Sequence, residues 1–424
     1  MITRWQWALI QLSRRLGFRA ALFCLLAVVT PFVALVVGPV IPESLPADVG
    51  AQAVDRVLGI IASSMLAVTT FSVATMVAAF SAASNSVTPR ATELLMQEPA
   101  TQNALATFIG SFLFSLVGII TLSAGLYDQR GQLVLFVVTI IVIAFVVVML
   151  LKWIDHLSRL GRVGETIDRV EEAVTSAMRS YAAWPHMGGC PLLEETDIPQ
   201  EARPIFSRKI GYVQNIDMQT LCRAGPDEMT FYIRALPGSF VNGVQPLVMV
   251  TGPEDENLEK KVCAAFTVGD RRNFQQDPRF GLVVLAEIAS RALSPAVNDP
   301  GTAIDVIGTA VRVLSIQPET KSKENEEGGP RFPNIHVPSI PAAELFDDVF
   351  TSIARDGAGL VEVGIILQKA FRALAEVGGR DYADMARRQS GLALARARAA
   401  KLIEADMRRL ESHAISLNED PAQK

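Results

Sequence analysis

Arginine, acidic and amide side chains are concentrated between residues 269 and 302, more densely than anywhere else in the chain. Four of them could hold an anionic ligand through charge-assisted hydrogen bonds: Arg271, Arg272, Arg279 and Arg291. Four more could keep those arginines in position: Asp277, Glu287, Asn298 and Asp299. The alternative is an ion-pair and helix-capping network that only shapes the fold, and the sequence leaves both interpretations open.

Motifs of the common catalytic and cofactor sites are absent from the sequence. It contains no Gly-x-Ser-x-Gly, no phosphate-binding Gly-x4-Gly-Lys-Ser/Thr, no His-Glu-x-x-His and no Rossmann glycine fingerprint. The cysteines and histidines lack metal-ligand spacing; they are Cys24, Cys190, Cys222, Cys263, His156, His186, His336 and His413. We therefore expect no catalytic residue, no metal site and no cofactor, and we do not expect an enzyme.

Hydroxyl side chains are unusually frequent in one long apolar segment, residues 57–82. Four of them could line a narrow, uncharged pore or could serve helix packing: Ser64, Thr69, Ser72 and Thr75. Small residues recur four apart in the same segment, at Thr70, Ala74, Ala78 and Ala82. Such rows let helices approach closely in lipid, so several copies of the chain could pack around this segment.

The segment is one of four uncharged apolar stretches, all within the first 152 residues. They cover about 20–40, 57–82, 104–126 and 133–151, each near or above the ~20 residues that a helix needs to cross a bilayer. Arginines precede the first stretch and basic residues follow the last, whereas the loops after the first and third stretches carry one arginine each. The positive-inside rule then predicts a multi-pass protein with both termini in the cytoplasm.

The remainder of the chain has the charge and periodicity of a water-facing domain. We predict a transmembrane domain (1–152), a helical stalk continuing the fourth span (153–190), an α/β domain (205–315), a flexible linker (316–340), a C-terminal helical hairpin (341–413) and a disordered tail (414–424). The fold class is thus an α-helical membrane protein with four transmembrane helices, followed by a mixed α/β (α+β) cytoplasmic domain and long C-terminal helices.

Local patterns place several elements inside the predicted α/β domain. Strands are expected at 211–216, 229–235 and 239–251, and helices at 218–224, 258–266 and 280–293. Asp299 and Pro300 have the residue types of a helix cap and a first helical position. Glu287 and Arg291 are spaced as an i, i+4 ion pair on one helix.

Several motifs occur in a recognisable order. They are Ser-Val-Thr-Pro-Arg at 86–90, Gly-Tyr-Val-Gln-Asn-Ile-Asp at 211–217, Gln-Asp-Pro-Arg-Phe-Gly at 276–281, and Ala-Leu-Ser-Pro-Ala-Val-Asn-Asp-Pro-Gly-Thr-Ala at 292–303. Together they resemble the bacterial predicted membrane proteins grouped as domain of unknown function 2254, over about residues 10–410. The resemblance implies an inner-membrane protein with four amino-terminal spans and a cytoplasmic tail, and it implies no particular activity.

Two functions are compatible with these features. The first is a homo-oligomeric, channel-like or gated membrane protein regulated by its cytoplasmic domain. The second is a non-transporting membrane anchor for a ligand-sensing or scaffolding cytoplasmic domain. The expected partners are the lipid bilayer, further copies of the chain and a small anionic ligand. A net charge of −5 without a long basic run argues against nucleic acid.

Overall fold

The computed structural model describes residues 51–96, 99–125, 129–159, 161–226, 228–253, 257–320 and 329–415, together with Leu25 and Val29. These residues form two compact units. Among the described residues, the first unit contains 51–85 and 92–165, and the second contains 86–91 and 166–415. Helices and strands are numbered below along the described residues.

The first unit is helical. Its helices are α1 (Ala51–Ser86), α2 (Pro89–Met96), whose first three residues belong to the second unit, α3 (Pro99–Ser123) and α4 (Gln129–Arg159). Three stretches are long and apolar enough to cross a membrane: Gln52–Ala82, Ala100–Ser123 and Gly131–Arg159. They contain nearly all of the predicted spans 57–82, 104–126 and 133–151. The predicted span 20–40 lies outside the described residues apart from Leu25 and Val29, so the structure supports three of the four spans.

Large apolar side chains hold α1, α3 and α4 together. Leu58, Phe108, Phe114 and Leu135 are fully buried in one cluster with Trp153. Prolines separate these helices, because Pro89 and Pro99 each occupy the first position of a new helix. The short helix α2 lies between these two prolines, in the segment that joins the second and third predicted spans.

The predicted continuous stalk is wrong. Helix α4 ends at Arg159, Gly161 adopts a φ of +85°, and α5 (Val163–Ala183) begins as a new helix. A glycine in this left-handed conformation ends a helix at little cost, because it has no Cβ to clash with the backbone. Apolar residues recur at helical spacing over 154–178, but this spacing is the same whether one helix or two carry it. Val170, Val174 and Met178 are buried in the second unit.

The second unit contains two β-sheets. Its strands are β1 (Gly189–Leu192), β2 (Arg203–Phe206), β3 (Gly211–Ile216), β4 (Thr230–Ile233), β5 (Phe240–Val241), β6 (Pro246–Thr251), β7 (Phe266–Gly269) and β8 (Phe332–Pro338). One sheet has the order β1-β8-β4-β6-β2 and the other β5-β3-β7. In the larger sheet β1, β8 and β4 run parallel, whereas β6 is antiparallel to both of its neighbours.

Strand β8 differs from the expectation for 316–340, which was a flexible linker. Residues Phe332–Pro338 form a central strand in which Phe332, Ile335 and Val337 are buried. Its partner β1 lies about 140 residues earlier in the chain, so no local pattern could reveal the pairing. The larger sheet thus extends beyond the predicted 205–315 domain at both ends.

Helices cover the rest of the second unit. They are α6 (Met218–Cys222), α7 (Leu258–Ala265), α8 (Pro278–Ala292), α9 (Pro300–Glu319), α10 (Ala342–Asp356), α11 (Val361–Val377), α12 (Gly379–Ala399) and α13 (Glu404–His413). Edge-to-face aromatic pairs connect α10 with α11 and α12: Phe350–Phe371 and Phe346–Tyr382. The predicted hairpin over 341–413 is therefore four helices, with breaks after Asp356, Val377 and Ala399.

Candidate functional site

The eight predicted ligand-binding residues do not form one site, because α8 separates them. This helix has 15 residues, and at about 1.5 Å per residue its ends lie roughly 20 Å apart. Arg271, Arg272, Asp277 and Arg279 are at its N-terminal end. The others lie further along or beyond it: Glu287, Arg291, Asn298 and Asp299.

Arg272 and Asp277 form a bidentate ion pair at the start of α8. Arg272 Nε donates to Asp277 Oδ2 at 2.7 Å, and Nη2 donates to Oδ1 at 2.9 Å. The Asp277 carboxylate also caps α8 by accepting the Phe280 amide at 3.0 Å. It is only 2% exposed, and burial raises the pKa of Asp277 while the hydrogen bonds from Arg272 oppose that rise. The guanidinium carbon of Arg272 lies 5.4 Å from the centre of the Phe280 ring.

Arg279 connects α8 to α10. Its Nε and Nη2 donate to Asp348 at 2.7 and 3.2 Å, and its Nη1 donates to Glu344. Asp348 is the more buried of the two carboxylates, since its side chain is 15% exposed against 46% for Glu344. Arg279 is therefore held from the protein side by Asp348 and from the solvent side by Glu344.

The remaining predicted residues have other surroundings. Arg271 has an exposed side chain, and its carbonyl oxygen accepts from Gln214 Nε2 at 2.7 Å. Glu287 pairs with Arg90, which belongs to the same unit. The expected Glu287–Arg291 pair is not formed between these two described residues, and Arg291 is half-buried.

The two residues before α9 serve the helix start. Asn298 has a left-handed φ of +49°. Asp299 caps α9 as predicted, accepting the Thr302 amide at 3.2 Å and the Thr302 hydroxyl at 2.6 Å. These hydrogen bonds lower the pKa of Asp299. Because Asp299 takes up the first amide groups of α9, this end of the cluster does not present them to an anion.

A cleft of about 430 Å³ brings Arg272 and Arg279 together with residues that the sequence analysis did not select. Its walls include Leu193, Glu194, Arg234, Ser339 and Glu344. These follow directly on the carboxyl ends of β1, β4 and β8 or lie in the first turn of α10. Arg234 could have been selected from the sequence, because it lies at the end of the strand predicted at 229–235. Ser339 could not, because the strand that it follows, β8, was not predicted.

The four predicted hydroxyls of α1 fall into two groups. Three of them donate to carbonyl oxygens of their own helix: Ser64 to Ile61 at 3.2 Å, Thr69 to Met65 at 2.6 Å and Thr75 to Phe71 at 3.0 Å. Ser72 differs, because it is fully buried and accepts a hydrogen bond of 2.8 Å from Trp153 Nε1 on α4. Ser72 thus makes a packing contact between α1 and α4.

No group of three or more histidine, cysteine or acidic side chains that could hold a metal ion occurs among the residues that the structure describes. Three cysteines within them, Cys190, Cys222 and Cys263, take part in no disulfide bond. Burial raises the pKa of Cys263, which disfavours its reactive thiolate form.

Comparisons with known proteins agree with the helical first unit. The sequence profile of a family described as predicted membrane protein, domain of unknown function 2254, matches residues 13–373. Uncharacterized proteins of Mycobacterium tuberculosis and Mycobacterium bovis are each 26% identical over 251 residues, 55% of this chain and 46% of theirs. The chain spans about half the length of these curated relatives, and no solved structure matches it. Because the family match covers most of its length, the chain belongs to the predicted membrane protein family of domain of unknown function 2254.

Proposed function

We propose that the protein is a multi-pass protein of the cell inner membrane that assembles into a homo-oligomer around α1. In this assembly α1 surrounds a narrow, uncharged, channel-like path, and the second unit lies in the cytoplasm, with both termini, and regulates it. One observation carries the proposal: the outward face of α1 contains a row of small side chains among large apolar ones such as Ile60, Phe71 and Val77, whereas the outward face of α4 consists mainly of large apolar side chains.

Helix α1 exposes a row of small residues. Its members lie three or four apart and so share one face: Ser63, Ala67, Thr70, Ala74 and Ala78. Both helices also expose large apolar side chains, and on α4 these make up most of the outward face, among them Ile140, Ile141, Phe145, Val148 and Leu151. Large apolar side chains suit contact with lipid, whereas small ones let a second helix approach closely. The contrast supports helix-to-helix contact at α1 and lipid contact at α4.

The exposed hydroxyls of α1 also suit an uncharged path. Ser63 and Thr70 donate to the carbonyls of Gly59 and Leu66 at 3.0 and 2.9 Å. Their own hydrogen-bond donors are therefore satisfied inside the helix, while the oxygen lone pairs remain available to water. A ring of such helices would offer acceptors without fixed charge.

Cysteine cross-linking tests the assembly. In a background with the four native cysteines replaced, Ala74→Cys should give disulfide-linked dimers in membranes. Ile141→Cys is the matched control, since it is also exposed but on α4, and it should stay uncross-linked. A monomeric mass in mild detergent together with equal cross-linking at both positions would refute the oligomer.

Recording in planar bilayers tests the path itself. Ala74→Trp should reduce the conductance of the purified protein, because it fills the inner face of the ring, whereas Ile141→Trp should not. If an assembled, correctly folded preparation shows no conductance, the channel function is refuted.

Thiol labelling of Cys190, Cys222 and Cys263 from the periplasmic side of intact cells tests the orientation. Reaction of these thiols there would contradict a cytoplasmic second unit.

The second candidate function is a non-transporting anchor that presents a ligand-sensing or scaffolding domain. The cleft at the ends of β1, β4 and β8 favours it, because ligands of open α/β sheets bind at the carboxyl ends of parallel strands. A silent bilayer recording combined with ligand binding in this cleft would select this function over the first.

A further inference from the structure

The cleft of the second unit has the position of a ligand site. Strands β1, β8 and β4 are parallel neighbours, so their carboxyl ends, Leu192, Pro338 and Ile233, meet at one edge of the sheet. The backbone leaves the sheet there, and the segments that follow the three strands form the walls of the cleft. Its volume of about 430 Å³ falls in the range that accommodates small organic molecules.

Arg272 is a preorganised anion-binding group on the wall of this cleft. Asp277 fixes the edge formed by Nε and Nη2, and the guanidinium carbon lies over the Phe280 ring, 5.4 Å from its centre. No hydrogen bond joins Nη1 to any residue that the structure describes, and the side chain is 20% exposed. The side chain thus presents a donor edge in a fixed orientation, which reduces the entropic cost of binding.

Arg279 carries a partner that a ligand could replace. Its bidentate contact with Asp348 is largely buried, whereas Glu344 is nearly half exposed and occupies the remaining Nη1 edge. A carboxylate on the solvent side of an arginine mimics an anionic ligand and competes with one for the same donor. Glu344 therefore marks the position of an anionic group in the cleft.

Apolar side chains form the other part of the wall. Leu192, Leu236 and Ile340 line the cleft, together with Leu193, whose exposure of 82% is exceptional for a leucine. Exposed large apolar side chains beside arginines fit a ligand with an apolar body and an anionic group.

We propose that this cleft binds a small organic anion. Its carboxylate or phosphate group contacts Arg272 and Arg279, taking the place of the Glu344 carboxylate, and its apolar body lies against Leu193 and Leu236. The proposal deepens the second candidate function, for which it supplies the ligand class, and it is independent of the assembly of α1.

Isothermal titration of the full-length protein in a neutral detergent tests the proposal. The probes are phenyl phosphate and benzoate, which carry both features, inorganic phosphate, which lacks the apolar body, and benzyl alcohol, which lacks the charge. Phenyl phosphate or benzoate should bind saturably and more tightly than inorganic phosphate and benzyl alcohol. The relative affinities of phenyl phosphate and benzoate show whether the site prefers a phosphate or a carboxylate group.

Variants give effects of opposite sign. Glu344→Gln should tighten binding several-fold, because it removes the competing carboxylate and keeps the shape. Arg279→Gln and Arg272→Gln should weaken binding by at least about tenfold. Arg272→Gln leaves Asp277 buried without its partner and can impair folding, so Leu193→Glu is the second test. It adds a negative charge at the exposed mouth of the cleft and should also weaken binding.

Arg208→Gln is the matched control. Arg208 is exposed and pairs with Glu259 outside the cleft, so its replacement should leave the affinity unchanged.

Two results would overturn the assignment. One is no saturable binding of either aromatic anion, up to about 10 mM, to the wild type and to Glu344→Gln. The other is equal loss of binding in Arg208→Gln and Arg279→Gln, which indicates unspecific attraction to charge. Either result leaves the cross-linking and conductance tests of α1 unaffected, and a silent bilayer leaves the titration unaffected, so the two proposals fail separately.

Discussion

Trp153 on α4 donates its indole N–H to the hydroxyl of Ser72 on α1 across 2.8 Å, and both side chains are buried. The Trp153 ring also lies 5.4 Å, centre to centre, from the ring of His156, whose Nε2 is 3.1 Å from Thr101 Oγ1 on α3. These contacts connect the three long helices of the first unit through polar groups. In an apolar environment such bonds fix which faces of the helices meet.

Replacing Ser72 tests this contact. Ser72→Ala leaves the buried indole N–H without an acceptor, and we expect a loss of about 1–2 kcal/mol in the free energy of unfolding. Ser63→Ala is the matched control, because its hydroxyl is exposed and bonded within its own helix, and it should change stability by less than about 0.5 kcal/mol. Reversible unfolding in mixed micelles measures both. Equal effects at the two positions would contradict a structural role for the Trp153–Ser72 bond.

Gly238 is required by the Arg272–Asp277 pair. It has a φ of +91°, and a Cβ at this position would lie 2.7 Å from Asp277 Cγ. Gly238→Ala should therefore cost at least about 2 kcal/mol, from backbone strain and from displacement of the carboxylate. Gly243 has a similar φ of +79°, but a Cβ there would meet only the Ser207 carbonyl oxygen, at 3.8 Å. Gly243→Ala should therefore lower the free energy of unfolding by about 1 kcal/mol, from backbone strain alone. Thermal unfolding of the two variants compares them, and a larger loss for Gly243→Ala would argue against the close approach.

Gly281 permits the close packing of α8 against α5. A Cβ at Gly281 would lie 3.2 Å from Val174 Cα and would overlap the Val174 side chain. Gly281→Ala should destabilise the protein by about 1–3 kcal/mol, because the core there has no space for a methyl group. Gly391→Ala in α12 should instead stabilise it by up to about 1 kcal/mol, since nothing lies within 4 Å of the added methyl. Chemical denaturation measures the change in the free energy of unfolding for both variants. No loss of stability in Gly281→Ala would indicate that α8 packs less closely against α5.

The pair of Glu171 and Arg312 gives the contact between α5 and α9 a defined pH dependence. Arg312 donates twice to the Glu171 carboxylate at 2.6 Å, and these hydrogen bonds lower the pKa of Glu171 below its usual value of 4.5. A lowered pKa in the folded state means that the pair stabilises the fold above the usual pKa and stops doing so as the pH falls through the lowered one.

Glu171→Gln measures that contribution. At neutral pH the variant should be less stable than the wild type by no more than about 1 kcal/mol, because Arg312 is largely exposed. The difference should stay constant down to about pH 5 and should shrink as the pH falls below the usual carboxyl pKa. Urea unfolding at a series of pH values records the difference, and one that grows on acidification would reverse the predicted sign.

Much of the local structure could be predicted from the sequence, because its causes are local. The strand at Gly211–Ile216 has the predicted bounds, and Asp299 caps α9 ahead of Pro300. The three described apolar helices could be predicted from the length of the uncharged apolar stretches. This length is a property of the local sequence and does not depend on which residues pack against it. The candidate site was predictable only in part: Arg272, Asp277 and Arg279 were selected, but Arg291 and Asp299 were wrongly grouped with them, since proximity along the chain was taken for proximity in space.

The sequence by itself determined that the first third carries long apolar helices, which residues begin and end many elements, and that arginines and acids gather around α8. Only the tertiary structure decided which of those charged residues face one cleft. Strands β1 and β8 are far apart in the chain, and their parallel pairing with β4 is what brings Leu193, Arg234 and Ser339 to the edge where Arg272 and Arg279 lie. Periodicity specifies which face of a strand is buried, but the partner of that strand is chosen by packing across the whole domain.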